Sequence, residues 1–218
     1  MIKKVLNLLY SIYFNFRYLN IKQAIKLPIK INHNINVLKL RKGNIQIDST
    51  KIERFMIELG FDGSGFVAEK KSSLMIENNG TLLFKGKVKL AEGLNIYINN
   101  GHVAIGEKIY INRNFLLQCE NVIEIGDDSL IGWNVNMRDT SGHKIYKNGK
   151  LKETQNKIIL GKHVWVASDA TIIGNTQIKD GCIVGCNSLV NNLKTKDKNS
   201  LIVGSPAIEK EGAYIWEE

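Results

Sequence analysis

The chain has 218 residues, 44% of them hydrophobic, and a formal net charge of +9. That size and apolar content supply one sizeable core and exclude a disordered chain, and with no 18-residue apolar run the sequence predicts no membrane-spanning helix. The charge is mostly lysine, denser over residues 1–42, and fits a nucleic acid, an anionic membrane face, an anionic cofactor or simply a solvated surface.

In chain order, residues 4–26 read as helical. Val5, Leu8, Leu9, Ile12, Tyr13, Phe16, Leu19 and Ile21 recur mostly at spacings of three and four and mark one apolar face, and Pro28 ends the pattern. The stripe predicts packing on the chain itself or on a neighbouring subunit. The alternative left open by Lys3, Lys4, Arg17, Lys22 and Lys26 is peripheral membrane association through residues 1–26. The opening stretch lacks the small-residue cleavage site of a signal peptide. Three cysteines, Cys119, Cys182 and Cys186, suit a reducing compartment. The cytoplasm is therefore expected, with the inner face of the membrane as the alternative station. No zinc-finger, RNP or helix-turn-helix pattern occurs, so no nucleic acid partner is expected.

From about residue 35 short apolar pieces such as "GNIQID" and "LNIYINN" alternate with glycine, asparagine and charge, which predicts many short strands. A six-residue period is clearest over residues 160–190: Leu160, Val166, Ile172, Ile178, Val184 and Val190 are all aliphatic. Four residues after the first five of these stand Val164, Ala170, Thr176, Cys182 and Ser188, all small or medium. A second tract runs Ile105, Ile111, Leu117 and, after a two-residue slip, Ile125, Ile131, Met137. Gly106, Gly126, Gly132, Gly161 and Gly185 each follow a repeat residue and are expected at sharp corners. One strand plus one corner fits six residues, and three such sides close a coil of 18 whose stacking gives parallel strands.

These features, with "ILGKHVWVASDATIIGNTQIKDGCIVGCNSLVNN", the "VGSPA" segment and the loop "NVNMRDTSGHKIY", resemble the hexapeptide-repeat acyltransferases. The basic helical start and Trp216 resemble the members that O-acetylate bacterial surface polysaccharides. The resemblance implies a mainly β fold, a left-handed parallel β-helix. It divides the chain into an N-terminal helical segment (1–34), the β-helix (35–205, with loop 138–158 extruded) and a C-terminal tail (206–218). It also implies a homotrimer, acetyl-CoA as cosubstrate, a sugar or glycan acceptor and no metal. Ala167, Cys186 and Ser141 depart from the family pattern, Ser141 standing where relatives carry an acid two residues before the histidine.

The six-residue phase breaks after Met137 and resumes at Leu160, and a long loop in a compact fold is either functional or disordered. Read alone, His143 is either a solvated loop residue or a base; the resemblance makes it the general base that takes a proton from the acceptor hydroxyl. Asp139 either orients His143, binds the sugar or caps the loop. The resemblance assigns Trp165, Ser168, Cys186, Asn191 and Lys210 to the acetyl-CoA groove, Lys210 near the nucleotide phosphates. Trp165 is equally a packing residue. N-acetylation of an amino sugar or other small amine stays open on this fold, as does a non-catalytic solenoid. A carbonic anhydrase-like zinc enzyme needs three converging histidines, a spacing that four scattered ones do not offer.

Overall fold

The computed structural model describes residues 2–151 and 156–217. Residues 152–155 of the expected loop lie outside the described residues, as do the first and last residues of the chain. Helix α1 spans Ile2–Tyr18 and a short α2 spans Ile21–Ala24. The continuous helix expected over residues 4–26 is split because Asn20 caps α2: its side-chain oxygen accepts from the Gln23 amide at 3.0 Å.

The rest is a parallel β-helix. Its strands fall into three sheets of nine, seven and six strands, each strand pairing with the equivalent strand of the next coil. In the last coils Trp165 pairs with Ile183 and Val166 with Val184, one turn per 18 residues as the hexads require. The first sheet starts earlier than residue 35, at strand Ile29–Ile31, whose three residues are too few to show a period. It also runs past residue 205, through an antiparallel strand Ala207–Lys210 that turns back on Leu201–Gly204.

Every hexad residue points inward: Leu160, Val166, Ile172, Ile178, Val184 and Val190 are buried, and so are the six of the earlier tract. Val164, Ala170, Thr176, Cys182 and Ser188 fill the space near the corners and are buried too. The glycines after the repeat residues serve another purpose than expected. Gly126 and Gly132 are absent from the left-handed backbone positions. A β-carbon at Gly126 would lie 2.3 Å from the Gly161 carbonyl oxygen, and one at Gly132 would lie 2.7 Å from the Ser168 nitrogen. Coils approach too closely there for any side chain. The left-handed turns lie at other positions, many of them Asn or Asp. Asn114, Asn134, Asp169 and Asn187 occupy one corner in successive coils with φ between 53° and 62°. Asn114 donates to Asn134 at 3.0 Å and Asn134 to Asp169 at 2.9 Å, a polar ladder up that corner.

Helix α1 closes the first coil in an unexpected orientation. Its polar residues, not its apolar stripe, face the chain. Asn15 donates to the Ile29 carbonyl (2.6 Å) and accepts from the Ile29 amide (3.1 Å). Ser11 accepts from the Ile31 amide (3.0 Å), and Asn7 accepts from the His33 amide (2.9 Å). Residues 7, 11 and 15 lie on one side of a helix, and together they occupy the open edge of the first strand. The physical reason is that an edge strand without a neighbour holds unpaired backbone groups, and buried ones must be satisfied. Phe14 adds an apolar anchor, fully buried beside Tyr18.

Candidate active site

The loop begins where strand Asn136–Arg138 ends. Asp139 is fully buried, and its carboxylate accepts from the amides of Glu120 and Asn121, each at 2.8 Å, with the Cys119 thiol 3.2 Å away. The two-residue slip of the repeat, between Leu117 and Ile125, brackets these amides: the longer corner frees backbone donors that Asp139 of the next coil satisfies. Burial raises the Asp139 pKa, and the amide bonds oppose that shift. Burial and the Asp139 charge together push the Cys119 thiol up, so it stays protonated and serves as a donor.

Beyond this root the chain makes a tight polar turn. Thr140 donates to the Glu120 carboxylate at 2.8 Å and accepts from the Gly142 amide at 3.0 Å. Ser141 donates to the His143 carbonyl at 2.9 Å, and Gly142 takes a left-handed φ of 72°. The His143 side chain is exposed and has no hydrogen-bond partner among the described residues. Asp139 faces into the coil, not toward this ring. After His143 two short strands, Tyr146–Lys147 and Lys150–Leu151, pair antiparallel across Asn148 and Gly149, both left-handed. The sequence reading passed over this hairpin, although Asn-Gly between short strands is its signal.

The five residues expected around acetyl-CoA fall in three places on one chain. Trp165 and Lys210 share an outward column of the first sheet, through Ile183 and Leu201. Ser168 and exposed Cys186 stack one coil apart at the corner that follows. Asn191 lies in the ladder Arg138–Ile173–Asn191, below the root of the His143 loop. A single copy therefore does not gather the set. Cavities of about 610 and 450 Å³ open on the first sheet instead, between Glu53–Asp62 and Lys87, Lys89, Lys108 and Tyr110, and no loop residue lines them.

Two further contacts escaped the sequence. His163 stacks on Trp216 with ring centroids 4.1 Å apart and 7° between planes, and its Nδ1 lies 2.9 Å from Asp128. The Trp216 indole donates to the His163 carbonyl at 3.0 Å, which fixes the end of the chain over the first sheet. Phe66 meets Trp133 edge-on at 5.0 Å. Among the described residues no group of three His, Cys, Asp or Glu converges in the manner of a metal site.

No family model matches the chain. In sequence it is 24% identical over 144 residues to WbbJ of Escherichia coli (strain K12), assigned by name to lipopolysaccharide biosynthesis as an O-acetyl transferase; the match covers 61% of this chain and 72% of that one. It is 28% identical over 127 residues to the bifunctional protein GlmU of Clostridium acetobutylicum, covering 56% of this chain and 26% of that one. Among solved structures, the polysialic acid O-acetyltransferase OatWY superposes with a TM-score of 0.65 at 21% identity over 87% of both chains. The polySia specific acetyltransferase NeuO gives 0.62 at 19% identity, over 87% of this chain and 82% of that one. The two structures speak for the fold. With the hexad core and the acetyltransferase relative in sequence, they define the class: the chain resembles the hexapeptide-repeat acyltransferases and is an acyl-transfer enzyme.

Proposed function

We propose that the chain is an acetyl-CoA-dependent O-acetyltransferase acting on a sugar hydroxyl of a surface polysaccharide, capsule or lipopolysaccharide, or of its precursor. The observation that carries the reading is His143, presented without a hydrogen-bond partner among the described residues on an exposed turn whose root Asp139 anchors in the coil. A neutral imidazole accepts a proton at one ring nitrogen. In the proposed reaction His143 takes the acceptor hydroxyl proton as that oxygen attacks, and then passes it to the departing sulfur. Acetyl-CoA supplies the acetyl group as a thioester, activated for this transfer. Asp139 positions the loop through the Glu120 and Asn121 amides.

The residues fit the cosubstrate in kind. Trp165 offers an aromatic wall, Lys210 a cation for phosphates in the same column, and Ser168 and Cys186 small side chains at the neighbouring corner. In this reading the chain is a left-handed β-helix that works in the cytoplasm as a homotrimer; the separation of these residues on one chain supports the assembly alone, in which one copy's corner meets the loop of the next. Turnover measured against a panel of saccharide acceptors tests the reading. His143→Ala and His143→Asn are expected to lower kcat by about 10²–10⁴, the usual size of a general-base contribution, with folding and acetyl-CoA binding retained. Near-normal turnover by His143→Ala would refute the assignment of the base.

A further inference from the structure

The orientation of α1 leaves one of its faces without a partner among the described residues. The side turned to the coil carries Asn7, Ser11, Phe14 and Asn15. The opposite side carries Ile2, Val5, Leu9, Tyr13 and Phe16, exposed by 75%, 51%, 58%, 54% and 46%. Just beyond α1, Ile21 and Ile25 are exposed too, at 61% and 64%. Hydrogen bonds between coils run along the stack, and α1 completes the last of them. Its apolar side therefore points outward along the axis, away from the lateral faces that bear Trp165, Ser168 and the His143 loop.

The charge around this face is one-sided. Nine of the 30 Lys and Arg residues precede Asp48, the first acidic residue, and the other 21 match the 21 acidic residues that follow. The whole formal charge of +9 is thus carried ahead of Asp48. Lys30 pairs with Glu58 and Lys39 with Glu77. Lys3, Lys4, Arg17, Lys22 and Lys26, on or beside the two helices, form no ion pair among the described residues. Lys3 and Arg17 flank the apolar stripe, whereas Lys4 lies on the coil side with Asn7 and Ser11. A second copy docked through the same face would set these cations against their own kind, with no acid on either helix to answer them. An anionic lipid surface answers both features: acyl chains take the apolar side and headgroups neutralise the flanking cations.

We infer that α1 and α2 form an interfacial anchor that lays the axial end of the β-helix on an anionic membrane. The inference does not depend on which acceptor the enzyme serves. The test is co-sedimentation of the full chain with vesicles of phosphatidylcholine alone and with about a third phosphatidylglycerol. Binding to the anionic vesicles only is expected, weakening with salt. Leu9→Asp with Phe16→Asp should abolish it and leave acetyl transfer to a water-soluble acceptor intact, since both side chains point away from the coil. Lys3→Gln and Arg17→Gln should each weaken partitioning about fivefold. Three outcomes overturn the inference: equal binding to both vesicle types, undiminished binding by the Leu9/Phe16 variant, or no vesicle binding. A change in assembly size on Leu9→Asp would assign the face to contacts between copies instead.

Discussion

The two ends of the coil stack meet one problem, an edge strand with no next coil, and answer it with different chemistry. At the first strand, helix side chains replace a strand: the Asn15 amide reads both backbone groups of Ile29, and the Ser11 hydroxyl takes the Ile31 amide. At the far end the chain turns back, and Ala207–Lys210 pairs antiparallel with Leu201–Gly204. There Glu209 accepts from the Lys196 and Asp197 amides, and the Trp216–His163 stack holds the tail. One cap is neutral, buried and inserted in the core; the other is charged, largely exposed and laid along the surface. Three side chains on one side of a helix suffice as an end cap, and the helix keeps its other side free for a different task.

That contrast breaks most readily at Asn15. Asn15→Ala strands a buried amide and a buried carbonyl, each worth about 1–3 kcal/mol when left unpaired, so about 2–5 kcal/mol of stability is expected to be lost in urea unfolding. A loss below about 1 kcal/mol would mean that α1 does not cap the edge. The opposite end is expected to yield less. Trp216→Ala removes one ring stack and one hydrogen bond, about 1–2 kcal/mol together, because the tail lifts off without opening the core. Near-equal losses for the two variants would erase the distinction between ends.

The smallest effect separates them by pH. Burial alone would raise the Glu209 pKa, but the Lys196 and Asp197 amides that donate to its carboxylate outweigh burial and hold it below the usual value. A carboxyl depressed in the folded state stabilises above its unfolded pKa, near about 4.3, and the contribution disappears as pH falls through the folded pKa. Amide exchange at Lys196 and Asp197, corrected for intrinsic rates, is expected to rise below about pH 4, while Ile29 and Ile31, bound to groups that do not titrate, stay protected. Glu209→Gln should make both ends respond alike.

Much of the coil was legible because its period is covalent. Leu160 to Val190 at six-residue steps is a statement about spacing alone, and each of these residues is buried. The loop was legible as a break in that period, with His143 outside it. What spacing cannot reveal is a partner far away in the chain. The two-residue slip gave no hint that Asp139 would fill the gap it makes, because that pairing crosses coils. The apolar stripe of residues 4–26 pointed to ordinary packing, since periodicity identifies a face and not the direction in which it looks. Only the unpaired edge at Ile29–Ile31 turns the polar side inward, and that edge exists only once the coils have stacked. The same holds for the residues assigned to acetyl-CoA: Ser168 and Cys186, 18 apart, stack as their spacing requires, but their place relative to Asn191 depends on which corner each occupies.

Helix α1 also decides how long the object can grow. A parallel stack is indifferent to whether its next layer comes from the same chain or another, and an open strand such as Ile29–Ile31 is a template for either. By lodging Asn7, Ser11 and Asn15 in that template, the chain gives its backbone bonds to groups that offer no further edge. The helix is a terminator, and it keeps a repeat with no intrinsic length from propagating into a fibre.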